Sequence, residues 1–291
     1  MLLMTAIMGN ASPGLITEPT MPASDTTIIK GPYALVAGGS KGIGYAIAEA
    51  LAKRHYNLIL IARHLDSLQA AKEKLETAYG IHVDLLVNDL SRQEAADEIG
   101  QWCFENEIPL KMLCNVAGFG GERDYPALSM EETRYMVRLN VESCMALTLR
   151  LLPLLEKNAP SYVLNVASMA GLAPIPSKNG YSATKSAVIF FSYSLHYELM
   201  DKNISVSCLA PGPVFTKPSV VRDTKKNLGW FGTQMAVKPE KVGEIAVRRT
   251  LQHDLLIIPG ILPKLTSVII RVMPRKWMAS IYNNAGKKNK Q

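Results

Sequence analysis

Cysteine is scarce in this chain, and the four present share no paired spacing: Cys103, Cys114, Cys144 and Cys208 fall in helix-patterned or apolar stretches. That pattern excludes a disulfide scaffold and a thiolate metal site, and it reads as buried, reduced thiols in a cytoplasmic protein. Histidine is equally thin. His55, His64, His82, His196 and His253 lie at no metal-ligand interval, so no metal is expected. No uncharged apolar run is long enough to cross a bilayer. The first 30 residues hold a single base, Lys30, and MLLMTAIM has no positive flank of the kind a secretion signal needs. Residues 1–30 are therefore expected to be a disordered extension.

Acid is missing from the other end. After Asp254 there is none, while seven of the 32 bases occur there: Lys264, Arg271, Arg275, Lys276, Lys287, Lys288 and Lys290. The other 25 bases match the 25 acids, so the net charge of +7 belongs to the tail. A neutral body does not argue for nucleic-acid binding. Within the tail, Leu265, Val268, Ile269, Val272 and Met273 recur at helical spacing, Pro274 interrupts, and Trp277, Met278, Ile281 and Tyr282 resume the pattern. Residues 263–291 read as a basic amphipathic extension. Two placements stay open for it: peripheral contact with an anionic membrane, or packing of the apolar face on this subunit or a partner copy.

Between these ends the hydrophobic period alternates. Short apolar runs near 33–38, 57–62, 82–87, 110–115, 161–167, 204–210 and 255–258 are separated by helical stretches, with no linker-like break. Such alternation predicts one α/β unit over 31–262, built on a parallel sheet. Ser91-x-x-Glu94 and Ser129-x-x-Glu132 are capping-box patterns, predicting helices over 92–106 and 130–155.

The first strand runs into LVAGGSKGIGYAIAEALAK, a Gly-rich turn followed by an amphipathic helix, which is the outline of a nucleotide-binding βα unit. Gly38 permits the tight turn, Gly42 lets backbone approach a pyrophosphate, and Gly44 lets helix pack on strand, with helix N–H groups facing the anion. Far downstream, YSATK sets Tyr181 and Lys185 four apart, on one helix face, with Ser168 thirteen residues before the tyrosine. A cation beside a phenol lowers the phenol's pKa, so this pair is a candidate acid/base.

Taken in order, these segments resemble the short-chain dehydrogenase/reductase family from about Gly31 to Pro259. AGGSKGIG stands where that family has TGxxxGIG, NVAG where it has NNAG, and RLNV carries its helix asparagine; VASMAG, YSATK and APGPVFT complete the set. The nearest likeness is to ketoreductases acting on hydroxysteroids and long-chain 3-oxoacyl thioesters. The resemblance implies a doubly wound, Rossmann-like single domain. It implies catalysis by Asn140, Ser168, Tyr181 and Lys185, with Asn140 in a water-mediated proton relay. Cofactor contacts would come from Gly38, Ser40, Lys41, Gly42, Ile43 and Gly44, from Asp89 at the adenine, from Asn115, Ala117 and Gly118, from Tyr181 and Lys185, and from Pro211, Gly212 and Thr216. Ala37 replaces the family's threonine, which removes a hydroxyl that would tie the Gly-rich turn to the NVAG loop.

The dinucleotide follows from charge. An NAD-preferring protein places an acid after the second strand, to accept the ribose 2′-hydroxyl. Here that strand ends Ala62-Arg63, and with Lys41 two cations converge on a 2′-phosphate, which predicts NADP(H). Asp66 reads instead as an acid favouring the next helix N-terminus. The expected reaction is hydride transfer between nicotinamide and a carbonyl or hydroxyl group, in which Tyr181 moves the proton and Ser168 orients the oxygen. Loops 118–128, 169–180 and 212–237 should shape the pocket, and Val214, Phe215, Trp230, Phe231 and Met235 form either an apolar lid or loop anchors. An apolar, steroid-like or acyl substrate and a homodimer or homotetramer are expected. The alternative is a silent NADPH-binding regulator on the same fold, against which the intact set of four polar residues speaks.

Overall fold

In this computed structural model, residues 31–120, 127–176, 178–215 and 236–288 are described. Seven strands, β1 (Tyr33–Ala37), β2 (Asn57–Ala62), β3 (Val83–Val87), β4 (Leu110–Asn115), β5 (Ser161–Val166), β6 (Ile204–Leu209) and β7 (Leu256–Ile257), form one parallel sheet. Its order is β3-β2-β1-β4-β5-β6-β7. Each strand lies within two residues of its predicted place, because apolar runs covered on both faces carry a strong and local signal.

The pleat divides the core. Ala34, Val36, Leu58 and Leu60 face α1 (Gly42–Ala52), α2 (Leu65–Tyr79) and α7 (Pro239–Leu251). Leu35, Ile59 and Ile61 face α3 (Ala95–Glu105) and α5 (Ser143–Lys157), while α6 (Asn179–Leu199) covers β5 and β6 from the same side. Each large aliphatic so buried contributes about 1.5–3 kcal/mol before entropy is counted. α1 and α7 touch closely at Gly243, where a Cβ would stand 2.2 Å from the Ala46 carbonyl oxygen, and Arg54 and Glu244 pair beside it. The chain winds outward from β1 to β3, then crosses to β4 on the other side of β1. The crevice at the carboxyl ends of β1 and β4 is thus the switch point where doubly wound sheets bind ligands.

Two helix expectations need correction. Ser91 is no N-cap: its N–H and Oγ both bind Asp89 Oδ1, at 3.0 and 2.8 Å, and the helix begins only at Ala95. The acid two residues upstream outcompetes the capping box by offering a closer acceptor. Ser129 does cap α4 (Met130–Val137), with both capping-box bonds present. The predicted helix over 130–155, however, is interrupted by a π-helical turn, Arg138–Glu142, before α5 carries on to Lys157.

After β7 come α8 (Ile261–Val272) and α9 (Arg275–Lys288). They fold back onto the 3-10 turn Met169–Leu172 that follows β5, and Ile270 and Met278 join Met169 and Ala173 in a small core. Pro263 and Ser267 also face inward, whereas Leu265, Val268, Ile269 and Val272 do not. The apolar stripe read from the sequence is therefore divided between an inner and an outer face. No described helix is long and apolar enough to span a membrane.

Candidate active site

The Gly-rich turn connects β1 to α1. Gly38, at φ +91°, lies where a Cβ would press on the Ala117 backbone nitrogen at 2.9 Å, and a Cβ on Gly44 would meet the Gly38 carbonyl oxygen at 2.0 Å. Helix, turn and the Ala117 loop can approach this closely only because glycine occupies both positions. The hydroxyl lost at Ala37 is replaced by backbone: the Ala37 carbonyl accepts from both Val116 N (3.0 Å) and Ala117 N (2.8 Å). The departure at position 37 thus leaves the turn tied.

α1 starts at Gly42 (φ +60°) with no side-chain cap and no acid in its first turn. Its N–H groups and dipole are left for an anion, flanked by exposed Lys41 and half-buried Ser40 and Ile43. At the tip of β2, Arg63 is exposed, and its Nη1 donates to the Tyr135 hydroxyl at 2.9 Å, with the guanidinium 5.9 Å from the centre of that ring. Asp89 is spent in part on Ser91. These residues fit a phosphorylated dinucleotide: close-packed glycines, an uncapped helix start and two cations.

Across the switch point the other polar groups meet. Ser168, two residues past β5, is in extended conformation, and its Oγ accepts from Ala170 N at 3.1 Å as it caps the 3-10 turn. Tyr181 projects from the first turns of α6, partly exposed as a whole but with its phenol end deep. Burial raises the phenol's pKa above its ordinary value, and a hydrogen bond with Ser168 opposes the rise. One turn on, Lys185 is 4% exposed and its Nζ donates to the Val166 carbonyl at 2.8 Å, with the tyrosine ring centre 6.0 Å away. Burial pulls the ammonium down to about 8. The lowering of the Tyr181 pKa expected from Lys185 does not prevail in the free protein: burial dominates both groups, and Ser168 opposes the rise in the phenol.

Asn140 sits in the π-helical turn. Its Oδ1 accepts from Phe119 N (2.7 Å), and its Nδ2 donates to the Phe119 carbonyl (2.9 Å) and to Thr184 Oγ1 (3.0 Å). Both amide ends are engaged, clamping the Gly118–Phe119 loop to α6. A Cβ on Gly118 would lie 3.2 Å from both Asn140 Oδ1 and Lys185 Nζ, so this glycine lets the two groups share one corner.

Asn115, expected at the cofactor, turns its Nδ2 beneath the site, to Thr148 (3.0 Å) and Asn165 (2.8 Å), and Asn165 in turn donates to Ser192 at 3.0 Å. Sequence reasoning missed this buried chain. An asparagine inside the apolar strand SYVLNV was its one visible trace, since a polar group there needs partners. Thr184 was missed too, though it lies between Tyr181 and Lys185. Pro211 is buried and its carbonyl holds Met169 N at 3.0 Å, with Gly212 next to it. Thr216, Trp230, Phe231, Met235 and residues 121–126 lie outside the described residues. Val214 packs into the core and bridges to Val237, which makes it a loop anchor rather than part of a lid. Among the described residues no cluster is suited to a metal, and all four thiols are buried and unpaired.

Comparison with known proteins completes the picture. The model of the family described as short chain dehydrogenase matches residues 32–227. Very-long-chain 3-oxoacyl-CoA reductase of Rattus norvegicus is 32% identical over 198 residues, 66% of this chain and 62% of its own length. Hydroxysteroid dehydrogenase-like protein 1 of Gallus gallus is 32% identical over 204 residues, 69% of this chain and 61% of its own. The chain thus spans a little over three fifths of the length of these curated relatives. Among solved structures, an alcohol dehydrogenase from Thermococcus sibiricus complexed with 5-hydroxy-NADP superposes with a TM-score of 0.66 at 26% identity, over 78% of this chain and 95% of that one.

Proposed function

Since the chain belongs to the short-chain dehydrogenase family, we propose that it is an NADPH-dependent reductase of an apolar carbonyl compound, with Asn140, Ser168, Tyr181 and Lys185 as its catalytic set. One observation carries the reading. The Ser168 hydroxyl acts on the buried Tyr181 phenol beyond the carboxyl end of β5, with Lys185 and Asn140 meeting at Gly118 behind them, at the switch point that the Gly-rich turn also borders.

NADPH, when bound, supplies the hydride. The uncapped start of α1 and the glycines at 38, 42 and 44 would hold its pyrophosphate, and Lys41 and Arg63 its 2′-phosphate. Ser168 hydrogen-bonds the substrate oxygen and offsets the charge that develops there. Tyr181 keeps its proton at neutral pH, since burial raises its pKa, and is thereby held ready as the donor to that oxygen. Lys185, fixed by the Val166 carbonyl, places a cation behind the phenol and stabilises it once the proton has gone. Asn140 holds the Gly118 loop and the start of α6 in register, so that the set keeps its geometry. Similarity to the very-long-chain 3-oxoacyl-CoA reductase and to the hydroxysteroid dehydrogenase-like protein favours a lipid-like ketone as substrate.

Assembly is proposed through a second copy. On the α5–α6 side Met145 and Leu149 lie exposed one turn apart, and so do Phe190 and Tyr197 two turns apart. Apolar residues repeating on exposed helix faces suit an isologous contact.

NADPH oxidation measured against steroid ketones, 3-oxoacyl thioesters, retinal-like aldehydes and small quinones tests the activity, and turnover of none of them would favour a silent regulator. Titration of NADPH and NADH against the wild type and an Arg63→Asp/Lys41→Ser variant tests the cofactor. Preference should move toward NADH, and an unchanged ratio would show those cations to be merely solvated.

A further inference from the structure

Most of the large apolar residues of α8 face away from the core. Ile261, Leu265, Val268, Ile269 and Val272 lie within one face and are 56–83% exposed, while Pro263, Ser267 and Ile270 are buried and Leu262 packs partly on the small core. On α9, the next helix, Trp277 is 67% and Ile281 55% exposed. These are seven of the sixteen large apolar side chains exposed among the described residues, gathered on two consecutive helices, and a patch so concentrated marks an interaction surface.

Its electrostatics choose the occupant. Lys264 and Arg271, seven residues apart, run along one edge of the stripe, Arg275 and Lys276 follow at the start of α9, and no acid occurs after Asp254. A second copy would bring the same cations against these, which costs binding energy. An anionic bilayer offers acyl chains to the stripe and phosphate groups to the bases. The two helices are also anchored rather than loose: Ile270 and Met278 are buried in the small core, and Arg275 Nη1 donates to the Leu172 carbonyl at 2.6 Å.

We infer that the outer face of α8 and α9 docks the protein on an anionic lipid surface, with α8 lying in the interface plane. Because the inner face of these helices covers the turn that begins at Ser168, docking sets the entrance of the proposed site beside the lipid. The binding itself does not depend on the proposed activity, and lipid binding alone decides it.

The test uses the full chain and vesicles of phosphatidylcholine with and without phosphatidylglycerol. Wild type should co-sediment with the anionic vesicles and not with the neutral ones, weaken as salt rises, and shift its tryptophan emission to the blue through Trp277; Trp277→Phe should remove that shift. Leu265→Glu/Val272→Glu, whose altered side chains are exposed, should keep the wild-type circular dichroism and bind at least about tenfold more weakly. Lys264→Glu/Arg271→Glu should lose most of the salt-sensitive part. Wild type that ignores anionic vesicles at low salt overturns the proposal. So does a Leu265→Glu/Val272→Glu variant that binds as tightly as wild type. A variant that loses half its solution mass shows the face to be a contact between copies and overturns it equally.

Discussion

Tyr181 and Lys185 lie one turn apart, yet burial moves their proton affinities in opposite directions, and the consequences are separable. With the phenol's pKa raised above its usual 10, Tyr181 remains a donor throughout the neutral range, so Tyr181→Phe should lower kcat by roughly 10² to 10⁴ while NADPH affinity stays nearly constant. Retained turnover in that variant would remove tyrosine from the mechanism. Lys185 is shifted from 10.5 down to about 8, which makes its charged form costly in the folded protein. For a cation with a lowered pKa the unfolded chain holds more protons between the two values. The cost is therefore complete below about 8 and vanishes as pH climbs through 10.5. Lys185→Met should be at least as stable as wild type at pH 7, by up to roughly 3 kcal/mol, and the gap should close between pH 8 and 10.5 in denaturation series. The same titration predicts that reductive kcat/KM falls above pH about 8, as the cation behind the phenol is lost.

Among the elements, the βα unit at β1 and α1 has the least room for change. A methyl group at position 44 would enter the Gly38 carbonyl, 2.0 Å away, and the contact is backbone that cannot swing aside. Gly44→Ala should cost roughly 1–3 kcal/mol of stability and weaken NADPH binding, because the turn must open to admit it; calorimetry and cofactor titration read the two effects. Gly80→Ala serves as the control. Its φ of +63° strains the substitution, but nothing lies within 4 Å, so stability should fall by roughly 1 kcal/mol with cofactor affinity unchanged. The element order and the sites of these glycines were legible in the chain, since an apolar strand, a Gly-rich turn and an amphipathic helix are local patterns. The start of α3 was not, because a capping box and an Asx turn compete for the same serine and only their geometry decides.

For the whole molecule, the parallel sheet and its switch point explain why residues as distant as Gly38 and Lys185 share a site. The proposed contact between copies belongs to this scale. Leu149→Glu/Phe190→Glu should reduce the solution mass measured by light scattering without unfolding the chain, and an unchanged mass would place the contact elsewhere.

The sequence by itself determined the fold class, the strand positions, and the identity and order of the polar residues, because periodicity and motif spacing act over a few residues. What only the tertiary structure decided depends on what comes from elsewhere in the chain. The Val166 carbonyl fixes Lys185, and the burial that moves its proton affinity is a property of the packed helix. The π-helical turn brings Asn140 to the Gly118 loop, a register that a residue pattern does not encode. Asn115 turns to Thr148 and Asn165, partners on α5 and β5. On α8, both faces carry apolar residues, and the core under the 3-10 turn, by admitting Ile270 and Met278, settled which face was left to meet the outside.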